Sequence, residues 1–139
     1  MAQFEAIRNC TVERELQVRI DRYLVEEYEE LRPFVIEKGC RWTGTATELL
    51  EIAYSIYDTR LMLDDDGEPR TFMSVATEVF SSLSRQVPNN AFTYVYQAFR
   101  RKGVRRKPFT TRYRHRLLIM KNINPLWQIL SVNMTQPMS

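Results

Sequence analysis

After Glu78 the chain contains no aspartate or glutamate: residues 79–139, 61 in all, carry eleven Lys/Arg and no acid. Residues 1–78 hold all seventeen acids against nine Lys/Arg, so the two parts stand at −8 and +11, a division that the net charge of +3 conceals. Such an asymmetry points the C-terminal part towards a polyanion. Histidine is equally scarce. His115 stands alone in a run of arginines with no carboxylate near it in sequence, so a His-based triad lacks its parts and no enzymatic activity is expected. Cys10 and Cys40 are too few, and too far from another Cys or His, for a zinc site, and both read as free thiols. Four glycines are too few for a turn-rich sheet protein, and none forms a phosphate-cradling loop. No run approaches the roughly 18 apolar residues of a membrane span, and no basic stretch followed by an apolar one marks a leader, so no membrane contact and a cytoplasmic location are expected. The acidic run from Asp64 to Asp66 resembles a calcium loop only in part. The twelfth residue counted from Asp64 is Val75 where a bidentate Glu is required, so neither metal nor cofactor is expected.

What is present suits one domain of 139 residues, with 44% hydrophobic residues to build a core. Helical spacing of Leu16, Ile20, Tyr23, Leu24, Tyr28 and Leu31 predicts an amphipathic helix over residues 12–32, capped by Thr11, with Glu26, Glu27, Glu29 and Glu30 on its solvated face. Pro33 is expected to open a short turn and Gly39 to end the segment. Thr45 and Glu48, three apart ahead of Leu49, Leu50, Ile52, Ala53 and Ile56, form the pattern of a capping box and predict a second helix. A third is expected over 75–85 behind Ser74, and a fourth over 91–102, capped by Asn90 and closed by Gly103. In the fourth, Thr93, Tyr94, Gln97, Arg100 and Arg101 would face outward.

Then the period changes to two. In Arg112-Tyr113-Arg114-His115-Arg116-Leu117 the arginines alternate, which predicts a strand with three guanidinium groups on one face. With residues 104–107 as its partner it makes a basic hairpin over 104–117. The order of elements predicts a mainly α fold, a winged helix-turn-helix with a three-helix core and a basic β-hairpin, preceded by an extra N-terminal amphipathic helix. Its parts are an acidic helical segment over 1–40, the winged-helix domain over 41–122 and a loose tail over 123–139.

In a winged helix the recognition helix enters the major groove and the hairpin lies on the backbone. Asn90, Thr93, Tyr94 and Gln97 are donors and acceptors suited to base edges, while Arg100 lies beside them and Arg101 suits guanine. Lys102, Arg105, Arg106, Lys107, Arg112, Arg114 and Arg116 would neutralise phosphates. Nucleic acid, with duplex DNA favoured, is the expected partner. Two other readings stand beside it. One is a protein adaptor, or homodimer, using residues 12–31. The other is a single-strand binder that stacks bases on Tyr94, Phe109 and Tyr113.

The segment Trp42-Thr43-Gly44-Thr45-Ala46-Thr47-Glu48-Leu49-Leu50-Glu51, together with Ala98-Phe99-Arg100-Arg101-Lys102-Gly103-Val104 and Arg112-Tyr113-Arg114, resembles the C-terminal winged-helix segment of phage and mobile-element primase-helicases of the virulence-associated E type. The likeness covers about residues 40–120. This chain departs from the family in having no Walker-type phosphate loop and no primase motif. What the resemblance implies is therefore an accessory DNA-contacting module in mobile-element replication, without ATPase or primase activity.

Overall fold

The computed structural model describes residues 2–91, 93 and 109–135. Its elements are α1 (Ala2–Arg8), α2 (Glu13–Lys38), β1 (Arg41–Trp42), α3 (Ala46–Asp58), α4 (Phe72–Ser82), α5 (Phe109–Leu118), α6 (Pro125–Asn133) and β2 (Met134–Thr135). The fold is mainly helical. Its sheet among the described residues is a two-residue antiparallel pairing, Arg41 opposite Thr135 and Trp42 opposite Met134.

Helix α2 is longer than its spacing predicts. Val12 stands at the N-cap without a side-chain bond, so Thr11 does not cap it, and the helix runs through Pro33 to a left-handed Gly39 at φ 65°. Proline lacks the N–H that would bond the carbonyl four residues back. That carbonyl belongs to Glu29, and both residues are exposed, so water can take the missing bond. Meanwhile Leu31 and Val35 on the opposite side stay buried and hold the helix in register.

Helix α3 begins on Thr45, whose Oγ1 accepts the Glu48 N–H at 3.1 Å, a cap worth about 1 kcal/mol. The second half of the expected capping box differs: the Thr45 hydroxyl donates to Glu48 Oε1 at 3.2 Å. Helix α4 starts three residues earlier than expected, because Thr71 and not Ser74 supplies the capping oxygen, accepting the Ser74 N–H at 3.2 Å. It packs on α3 through Val75, Val79 and Phe80. Between them, residues 64–68 form the expected exposed turn, in which Asp64 Oδ1 accepts the Asp66 and Glu68 amides.

The expected strand over 112–117 is a helix. In α5, Phe109, Tyr113 and Leu117 recur every four residues and are all buried, whereas His115, which a strand would turn inward, is exposed. Tyr113 and Leu117 satisfy either period. Phe109 extends the helical one by a further turn, and three fully buried side chains outweigh an alternation of arginines. The basic hairpin over 104–117 is therefore not formed, and residues 104–107 lie outside the described residues. Of the expected loose tail over 123–139, residues 125–133 form a helix: Pro125 opens α6, which buries Leu126, Ile129 and Leu130, and residues 136–139 lie outside the described residues.

One buried cluster draws on all six described helices, from Phe4 and Ile7 in α1 to Leu126 and Leu130 in α6. Trp42 sits within it, 1% exposed, with its indole N–H donating to the Thr45 carbonyl at 2.8 Å. Gly44 packs so closely on this ring that a Cβ there would lie 2.7 Å from Trp42 Cζ2. Glycine is required at this position by the approach of the ring to the backbone.

Candidate functional site

Of the residues expected to contact nucleic acid, Asn90 and Thr93 are exposed, ahead of and at the start of the fourth expected helix. Tyr94, Gln97, Arg100, Arg101, Lys102, Arg105, Arg106 and Lys107 lie outside the described residues. Arg112, Arg114 and Arg116 are all on α5, each half-buried. A strand would align the three, but on a helix Arg112 and Arg116 share a face while Arg114 points roughly the other way.

The partners follow that geometry. Arg114 donates from Nη2 to Glu13 Oε2 at 2.7 Å and from Nη1 to Gln17 Oε1 at 2.9 Å, both in the first turns of α2. The Arg114 guanidinium holds the Glu13 carboxyl below its ordinary value, chiefly by this hydrogen bond. Arg116 reaches Gln128 of α6 at 3.4 Å. Arg85, the first cation after Glu78, donates to the carbonyls of Trp42 and Gly44 and fixes the chain around β1.

Two glutamates join the acidic part to the basic one, and the sequence places neither of them inside. Glu27, expected on the solvated face of α2, is 7% exposed. Its Oε1 accepts the Tyr113 hydroxyl at 2.8 Å and the Leu126 amide at 3.1 Å, and its Oε2 accepts the Trp127 amide at 2.8 Å. Pro125 has no N–H, so these two amides are the first free donors of α6, and a carboxylate there also meets the positive end of the helix dipole. Burial nevertheless dominates and pushes the Glu27 carboxyl up, against the lowering effect of its three donors. Burial and the neighbouring Glu27 likewise push the Tyr113 phenol up. Glu51 of α3, 8% exposed, does the same for α5: its Oε1 accepts the amide of Phe109, the first residue of that helix.

Glu78, the last acid, is spent within the body. Its Oε1 bridges Arg32 Nη1 at 2.7 Å and Arg70 Nη1 at 3.0 Å, and Oε2 accepts from Tyr28 at 3.2 Å. These groups line a cleft of about 260 Å³ together with Glu29, Met62 and Leu63. A second cleft, of about 220 Å³, lies where Tyr23, Glu26, Glu27 and Glu30 of α2 meet Ile123. Among the described residues no group of His, Cys, Asp and Glu is arranged to hold a metal ion.

Both alternative surfaces are altered by burial. Phe109 and Tyr113 are 0% and 2% exposed, which leaves no ring face for a base to stack on. The apolar stripe of α2, Leu16, Ile20, Leu24, Tyr28 and Leu31, is taken up by the chain's own core and leaves a partner only scattered side chains such as Val12 and Val18. Compared with protein-family models, with curated proteins and with solved structures, the chain matches none of them.

Proposed function

We propose that the chain is a DNA-binding module whose contacts are made by the basic part that follows Glu78, with duplex DNA as ligand and an accessory role in mobile-element replication. The observation that carries this reading is the distribution of charge: eleven cations in 61 residues without one acid, six of them within residues 100–107. Phosphate neutralisation by Lys and Arg supplies most of sequence-independent affinity and needs only cations and freedom from nearby carboxylates. Three acids bonded to described residues after Glu78 support it, since Glu27 and Glu51 are buried on helix amides and Glu13 is held by Arg114. The winged-helix arrangement belongs to this proposal in a reduced form. Its recognition helix over 91–102 is retained, with Asn90, Thr93, Tyr94, Gln97 and Arg101 as base contacts and Arg100, Lys102, Arg105, Arg106 and Lys107 on phosphates, while the hairpin gives way to α5 carrying Arg112 and Arg116.

The test is the affinity for duplex DNA between 50 and 200 mM salt. With about five phosphates contacted, log K falls against log[salt] at a slope of roughly −4 to −5. Replacing the six cations of residues 100–107 by Gln should remove most of that slope, and absence of binding by the wild type at 50 mM salt defeats the reading. A single strand competing better than the duplex would move it to the stacking alternative.

A further inference from the structure

Arg85 is the first cation of the basic part, and the end of α4 holds it in place. Its amide donates to the Phe80 carbonyl at 2.9 Å and that of Ser84 to the Ser81 carbonyl at 3.1 Å, the paired bonds of a Schellman end. Ser84 takes the left-handed position of that motif at φ 59°, where glycine is the usual residue, and its hydroxyl donates to the Cys40 carbonyl at 3.4 Å. The guanidinium is fixed as well: Nη1 donates to the Trp42 carbonyl at 3.2 Å and to that of Gly44 at 3.5 Å. Both bonds use one nitrogen, so Nε and Nη2 remain as donors. Among the described residues no carboxylate pairs with Arg85, in contrast to Arg32, Arg70 and Arg114.

Arg85 lines an open cleft of about 480 Å³, together with Thr77, Ser81, Ser84, Gln86 and Val87. Thr77 and Ser81 stand one turn apart on α4, about 6 Å along its axis, and both are exposed. No acid lines the cleft, and Glu78, next to Thr77 in the chain, is turned to Arg32, Arg70 and Tyr28 instead. The C-terminal end of a helix is its negative one, but three of the last four α4 carbonyls are already engaged, Val79 by the Ser82 hydroxyl and Phe80 and Ser81 by the amides that follow. One positioned guanidinium, neutral hydroxyl and amide donors, and no competing carboxylate make a place for an anion. A strut to the carbonyls around β1 needs only a neutral donor such as glutamine, and arginine adds the charge. A single charge in an open cleft holds a free anion weakly in water, whereas on a polyanion's backbone it is one contact among several.

We infer that this cleft takes a phosphate of the nucleic-acid backbone, with Arg85 as the charged contact and the side chains of Thr77, Ser81 and Gln86 as neutral donors. This deepens the proposed DNA-binding reading and rests on it. The two kinds of contact leave different signatures. Losing the cation weakens the complex and makes its salt dependence shallower, because one phosphate fewer is neutralised. Losing the hydroxyls removes hydrogen bonds to a charged group and weakens the complex with the slope unchanged. A purely structural role for Arg85 leaves affinity and slope alone wherever the protein stays folded.

The experiment measures binding of a short DNA duplex at several salt concentrations by wild type, Arg85→Gln and the double variant Thr77→Ala/Ser81→Ala, at a temperature where circular dichroism shows each protein folded. Glutamine keeps an N–H group in place of the guanidinium, and the two Ala substitutions fall at exposed helix positions that tolerate them. Arg85→Gln is expected to bind roughly tenfold more weakly at low salt with a slope shallower by about 0.9, and the double variant roughly tenfold more weakly with the wild-type slope. In amide NMR spectra of the wild type, Ser84, Arg85 and Gln86 should shift on adding the duplex and stay in place with inorganic phosphate at the same phosphate concentration. A folded Arg85→Gln protein with the wild-type affinity and slope overturns the inference, as does a double variant that binds like the wild type, or a duplex that leaves these amides unmoved. If Arg85→Gln does not fold, the double variant and the amide shifts decide. Equal shifts with inorganic phosphate assign the cleft to a free anion and overturn the backbone contact. Failure of the wild type to bind any duplex overturns the DNA-binding reading itself, and the phosphate contact falls with it.

Discussion

Glu27 joins the two charge halves through three hydrogen bonds. Three donors converge on it, yet desolvation still lifts its pKa above the ordinary value of 4.5. The charged and polar groups around it come from each packed element. Glu30 and Tyr23 lie on its own helix, Tyr113 on α5 and the Leu126 and Trp127 amides on α6, while Glu26 lines the adjoining cleft. Because the folded pKa is raised, the native protein keeps a proton between pH 4.5 and the raised value that the unfolded chain has already released. Stability from this group is therefore fully present below the unfolded pKa and is lost as pH rises through the folded one. Urea unfolding of wild type and Glu27→Gln across that range should show the wild type losing stability relative to the variant as pH increases. A wild-type advantage that instead disappears on acidification would mean that the three donors outweigh burial.

At the scale of elements, legibility tracked how local the cause was. The α3 cap lies within four residues, Thr45 to Glu48, and the left-handed stop at Gly39 needs only its own φ, so both are readable from composition and spacing. The α5 segment was ambiguous because Tyr113 and Leu117 fit period two and period four equally, and the burial of Phe109 with the exposure of His115 decides. Glu27 and Glu51 had no local signal whatever. Their partners lie 58 to 100 residues away, and a glutamate between two others on an amphipathic helix reads as solvated until another helix end arrives over it. Asn124-Pro125 reads as a self-sufficient helix start, and only the structure shows that the Asn124 side chain makes no cap bond and leaves the first amides of α6 to Glu27. Two substitutions separate helix from strand in α5. Leu117→Ala should cost about 2–5 kcal/mol, while His115→Ala, at an exposed position, should stay within about 0.5 kcal/mol. In a strand both would face the core, so comparable losses by thermal or urea unfolding would restore the hairpin.

For the whole molecule, the division into −8 and +11 halves sets up a competition, because an acid that pairs with a cation of the basic part removes it from a polyanion's reach. The site residues expected from the sequence were legible as a group, since charge partition needs no structure, but their individual fates were not. Arg114 is the clearest instance: among the three arginines of α5 it is the one turned to α2, where Glu13 and Gln17 already hold its guanidinium. Glu13 is exposed, so the bridge adds little to stability, and its main effect is on what Arg114 is free to meet. Glu13→Gln removes the charge that binds Arg114 and leaves the fold intact. The variant should bind duplex DNA more tightly than wild type at low salt, with a log–log salt slope steeper by about 0.9 if the freed guanidinium gains one phosphate. A melting temperature near that of wild type with unchanged affinity and slope would instead place Arg114 wholly within the protein's own framework, and leave Arg112 and Arg116 as the contribution of α5 to the interface.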